Sequence, residues 1–118
     1  MSYVYTSDAT LVLDRRQLSD MTLEDEELMR EILAALIEDT NSQLDQIDAA
    51  IREKNSDNCK RLAHYCKGAC ANVGANAAAS VLKRMEDEAV SGEFDGCARS
   101  LAALGRELDR LREEFTRL

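Results

Sequence analysis

The chain of 118 residues contains no proline and only five glycines. Both residue types interrupt helices, so their scarcity in a chain rich in alanine and leucine favours an all-helical fold. No apolar run reaches the roughly 18 residues of a membrane span. The opening segment 1–10, read as a loose start, has no basic n-region followed by an apolar h-region, which argues against a secretory signal. Positive charge is also in deficit. Lys+Arg number 15 against 23 Asp+Glu, a net charge of -8, which makes nucleic acid and anionic membrane poor partners. There is no CxxC pair among the four cysteines, and no Gly-rich loop that would cradle a nucleotide phosphate. The chain is long enough to bury the core of one domain, residues 1–118.

Helical periodicity fills most of what remains. Leu11 to Leu18 reads as a short helix that lids the fold. Thr22-x-x-Asp25 has the form of a capping box, followed by an acidic first turn. From there to about Lys54, Leu33, Ile37, Thr40, Leu44, Ile47 and Ile51 recur at alternating spacings of four and three. Asn55-Ser56-Asp57-Asn58 breaks the pattern, with Ser56 or Asp57 as the expected N-cap of the next helix. That helix runs to about Val73 and ends at Gly74. A further helix is expected from Asn76 to Val90, with Ala78, Val81, Leu82, Met85 and Ala89 inward, stopped by Ser91-Gly92. The last carries Phe94, Cys97, Leu101, Leu104, Leu108, Leu111, Phe115 and Leu118 in an unbroken 3-4 repeat. Four long amphipathic helices with short connections predict an antiparallel up-down four-helix bundle with a short N-terminal lid helix.

The helix before Gly74 holds the only histidine, His64. With Cys59 at zero and about 100° per residue, Cys66 and Cys70 fall within roughly 20° of it. Leu62, Ala63, Ala69 and Val73 complete one apolar stripe. His64 lies near 140°, Gly68 near 180°, Arg61 near 200° and Asn72 near 220°, with Lys60 and Lys67 at about 100° and 80°. One face is therefore core, and the opposite face carries the histidine with basic side chains and a glycine. Cys59, Cys66 and Cys70 are expected to be small buried core residues. Free thiols fit a reducing cytoplasm. A Cys/His metal or redox site is the alternative, but the imidazole points some 120° or more from the cysteines, too far for one ion to take both.

The ordered pattern Ala63-His64-x-x-Lys67-Gly68, then Ala71-Asn72-Val73-Gly74-Ala75, resembles the active helix of histidine phosphotransfer (Hpt) domains. The resemblance extends to Leu13-Asp14 with Leu18, to Ile32-Leu33 through Ile37-Glu38-Asp39-Thr40, and to Met85-Glu86. Two departures, Ala78 and Cys66 at positions where leucine is usual, touch packing. Membership would imply a phosphocarrier in a multistep His-Asp phosphorelay, not an enzyme with its own ATP site. It would imply His64 as phosphoacceptor and Lys67 stabilising the phosphoryl charge, with Gly68 and Asn72 on the docking face and Lys60 and Arg61 at its rim. Expected partners are receiver domains of response regulators or hybrid histidine kinases. No metal and no cofactor of its own is expected, Mg2+ being supplied by the receiver. The start at Met1 favours a freestanding protein over a module of a larger kinase. A monomer is expected, although the heptad of the last helix leaves a dimer open. A different class of function is a scaffold or inhibitor that binds a receiver or kinase without phosphorylation.

Overall fold

Short polar side chains decide where the helices begin. The computed structural model describes residues 11–118, so the loose start expected for 1–10 lies outside the described residues. Five helices follow in order: α1 Arg15–Met21, α2 Glu26–Arg52, α3 Ser56–Val73, α4 Asn76–Val90 and α5 Phe94–Thr116. Asp14, Asp25 and Asn55 precede the first three, and each side chain accepts a backbone N–H three residues on, from Gln17, Leu28 and Asn58.

Two of these caps correct the sequence reading. Thr22 opens no capping box. It is buried at the end of α1, where its hydroxyl donates to the Leu18 carbonyl at 2.8 Å. Leu23 and Glu24 then adopt φ of 53° and 63°, a left-handed turn that prevents α2 from starting before Asp25. Likewise Asn55, not Ser56 or Asp57, caps α3, because the Ser56 hydroxyl reaches across to the Ala89 carbonyl of α4. The lid helix is also shifted, starting at Arg15 where Leu11 was expected.

α2 packs on α3 and α5, and α4 packs on the same two, so the four long helices close a ring. Contacts between opposite ends set the antiparallel sense: Ser56 meets Ala89, and Arg30 near the start of α2 donates to the carbonyl of Leu118. This is the expected four-helix bundle. α2, α4 and α5 supply large core side chains, among them Leu33, Ile47, Leu82, Met85, Leu104, Leu108 and Leu111. α3 supplies mainly small ones. Cys59, Ala63, Cys66 and Cys70 are at most 1% exposed, which lets α3 sit deep between α2 and α4. Ala78 is buried as well, so both departures from the Hpt pattern are packing residues.

The segment before α1 clamps the α3–α4 corner. Asp14 N donates to Gly74 O and Ala77 N to Leu11 O, both at 2.8 Å. The Gln17 amide donates to the carbonyls of Ala71 (2.8 Å) and Asn72 (3.2 Å), satisfying the end of α3. Gly74 is required twice over. Its φ is +92°, and a Cβ there would stand 2.9 Å from the Asp14 carbonyl oxygen. The clamp holds the end of α3 against the start of α4, and so fixes the two helices that build the site below.

Candidate functional site

The inward face of α3 is sealed, and its outward face is open. His64, on the third turn of α3, has a side chain 69% exposed. Its Nδ1 lies 3.0 Å from Oε2 of Glu86 on α4. The same oxygen lies 3.1 Å from Nζ of Lys67. One carboxylate oxygen therefore gathers the imidazole and the ammonium from successive turns of α3. Glu86 is largely buried, its side chain 13% exposed. Burial alone would raise its carboxyl, but the hydrogen bonds from Lys67 and His64, with their charges, outweigh this and hold it below the ordinary value. It is thus a carboxylate at neutral pH and can only accept. With Glu86 accepting, the proton of a neutral imidazole belongs on Nδ1, which leaves the Nε2 lone pair directed away from Glu86.

Lys67 was expected on a strip beside the histidine. It is there, but it leans onto α4 and is half-buried against Glu86. Gly68 is exposed, and a Cβ built on it meets nothing within 4 Å. Packing within the bundle therefore gives no reason for a glycine here, although a mid-helix glycine costs about 1 kcal/mol against alanine. Asn72, Lys60 and Arg61 are all exposed. The Arg61 guanidinium folds back on Asn58, and the Asn72 carbonyl is held by Gln17. These three share the open face but are not joined to the His64–Glu86–Lys67 cluster.

Two residues were missed. Glu86 was noted only as part of a Met85-Glu86 pair. Its signal was its place at the edge of the buried Leu82–Met85–Ala89 stripe, where a carboxylate can turn to a neighbouring helix. Tyr65, beside His64 and 56% exposed, donates to Asp39 Oδ2 of α2 at 3.3 Å. The Asp39 charge, then that hydrogen bond, raises its phenol above the usual value.

The thiols are placed as expected. Cys59, Cys66, Cys70 and Cys97 are free and buried. Burial pushes Cys66 and Cys97 up to about 12 and Cys70 up to about 11, so they carry almost no thiolate at neutral pH. Among the described residues no group of His, Cys, Asp and Glu could hold a metal ion, and no helix is long and apolar enough to cross a membrane.

The Hpt domain family model matches residues 31–114, a stretch that contains α3, α4 and the whole His64 cluster. The chain belongs to the Hpt domain family, and a role in histidine phosphotransfer goes with that membership. Among solved structures it is similar to histidine-containing phosphotransfer protein B (HptB) of Pseudomonas aeruginosa PAO1. The TM-score is 0.82 at 25% identity, over 92% of this chain and 94% of that one. It also shares its fold with a rice protein described as histidine-containing phosphotransfer, with TM-score 0.78 and 20% identity over 89% of this chain and 77% of that one. No curated protein sequence matches it.

Proposed function

We propose that this protein is a phosphocarrier that takes a phosphoryl group from an aspartyl phosphate of one receiver domain onto His64 and passes it to the aspartate of another. The observation that carries the reading is the exposed imidazole whose Nδ1 is engaged by Glu86, within the segment matched by the family model. Nε2 attacks phosphorus in line with the acyl phosphate bond. The N–P bond forms, the P–O bond to the aspartyl carboxyl breaks, and the carboxylate leaves with the electron pair. As the ring gives up its lone pair it gains positive charge, which the Glu86 carboxylate balances through Nδ1–H. Return of the group to a second aspartate reverses these bonds.

Lys67 is close enough to serve the phosphoryl oxygens, since its ammonium sits against the same carboxylate as the imidazole. Gly68 lies one turn beyond His64 with open space where a Cβ would stand, which suits it to a partner's approaching loops. Asn72, Lys60 and Arg61 would border that approach. The magnesium and the acidic residues of phosphoaspartate chemistry belong to the receiver in this reading, which requires no nucleotide site and no cofactor on the bundle. The experiment is a phosphotransfer profile. The protein is mixed with each phosphorylated receiver of its own organism, and label is followed onto it and off again to unlabelled receivers. Rapid, reversible transfer with a small set of receivers is expected. Tight receiver binding with no label on the bundle would instead favour a scaffold or inhibitor.

A further inference from the structure

The open face does not end at His64. Between α3 and α4 runs an open groove of about 350 Å³. Lys67 and Gly68 belong both to this groove and to the surroundings of His64, so the two are continuous. Gly68 and Ala71, four and seven residues beyond His64, carry little or no side chain and leave the groove open along roughly 10 Å of the helix. Ser80 and Lys83 line it from α4.

Asn76, the first residue of α4, also lines the groove. It is 6% exposed, and its amide Nδ2 has no hydrogen-bond partner. A buried N–H without an acceptor is costly and uncommon, and its presence in a groove marks a place where an acceptor is missing. The other polar groups are donors too: two ammonium groups and a hydroxyl. Lys67 is paired with Glu86 at the His64 end of the groove. Lys83 makes an exposed i,i+4 pair with Asp87 and also feels the Glu86 charge; an exposed pair of this kind exchanges readily for a better partner.

We propose that this groove receives a carboxylate-bearing loop of the docking receiver domain, with the carboxylate exchanging onto Lys83 and an oxygen of the loop accepting from Asn76. The inference rests on the reading of His64 as phosphoacceptor. An aspartyl phosphate brought in line with Nε2 carries its flanking chain over the next turns of α3, where Gly68 and Ala71 leave room. On the α4 side of His64 the groove offers the partnerless Asn76 Nδ2 and the exposed Lys83 ammonium. The α2 side presents Tyr65 already bonded to Asp39. The groove would therefore discriminate among receivers by the charge and size of one loop, without touching the reacting atoms.

Three variants test this in the full-length protein. Lys83→Glu reverses the exposed charge. Ala71→Gln fills the groove from an exposed helical position. Asn76→Leu is near-isosteric and removes the unpaired donor. Each is measured for binding and phosphotransfer with the receivers of its own organism, for melting, and for labelling of His64 by phosphoramidate, a small donor that needs no docking. Each variant is expected to bind receivers roughly tenfold more weakly. The loss in Lys83→Glu should appear mainly in association rate and shrink with salt. Asn76→Leu should melt at the same temperature or higher, and phosphoramidate labelling should be unchanged in all three. Binding and transfer at the wild-type level in the three variants would overturn the proposal, leaving the phosphocarrier reading intact. A parallel loss of phosphoramidate labelling would also overturn it, since the defect would then lie at His64. Wild-type protein that accepts phosphate from no receiver would bring down the phosphocarrier reading itself.

Discussion

The two faces of α3 carry nucleophiles under opposite conditions. Inward, Cys59, Cys66 and Cys70 are sealed to 1% exposure or less, and burial raises all three thiols above the ordinary value, Cys66 to about 12 and Cys70 to about 11. Outward, His64 is open to solvent, and its Nδ1 is matched to a carboxylate from α4. The same 18-residue helix thus silences three reactive groups and presents a fourth. Rotation about the helix axis makes the difference. Small residues inward let α3 bed deeply into the bundle, which brings Glu86 of α4 up to the rim where His64 and Lys67 stand.

The sharpest way to break the comparison is to alter the outward face without touching the inward one. Gly68 and Gly105 both sit in helices, and a Cβ at either meets nothing within 4 Å. Gln at either position should stabilise the bundle by up to about 1 kcal/mol, since each replaces a helical glycine. Only Gly68→Gln should slow phosphotransfer, by about a hundredfold or more, because a side chain there displaces the incoming aspartyl phosphate from alignment. Melting curves and transfer rates of the pair check this. Equal rates in both variants would remove the access role of Gly68.

A smaller effect is expected from Glu86→Gln on acid stability. The Glu86 carboxyl is held below its ordinary value of 4.5. Its ionised form therefore contributes stability that is fully present above that pH and is lost as pH falls through the lowered, folded-state value. Wild type should be more stable than the variant at neutral pH, and the gap should close on acidification. Urea melts across that range measure it, and a gap independent of pH would contradict the charge role of Glu86. The smallest expected signal belongs to the inward face. Thiol titration should be slow in the native protein and complete after denaturation, and fast native labelling of three or more cysteines would contradict their burial.

The two faces of α3 were legible in the sequence because burial follows the 3.6-residue period, and Cys59, Cys66 and Cys70 share one angular sector with Leu62, Ala63 and Val73. Gly74 was legible as well, since a glycine after a periodic stretch marks a left-handed cap. The helix starts were less so. Leu23 and Glu24 adopt positive φ without the glycine or asparagine that would announce it, and so Thr22 was misread as the start of α2. Ser56 resembles a cap in sequence, but its hydroxyl is claimed by the far end of α4. Glu86 was the largest omission in the site. Its meeting with His64 and Lys67 depends on how α4 rotates against α3, which no periodicity within either helix specifies. The Gln17 amide, spanning more than 50 residues to the end of α3, was invisible for the same reason.

The most direct test of the central claim is to map the phosphoryl group. Wild-type protein and His64→Gln are each incubated with a phosphorylated receiver that transfers to the wild type, and acid-labile, base-stable label is quantified on the bundle. His64 is exposed and its neighbours on the inward face are unchanged, so the variant should keep the helical content and melting behaviour of wild type. The account predicts label on the wild type at His64 and none on the variant. A folded His64→Gln protein that still accepts acid-labile phosphate would contradict it.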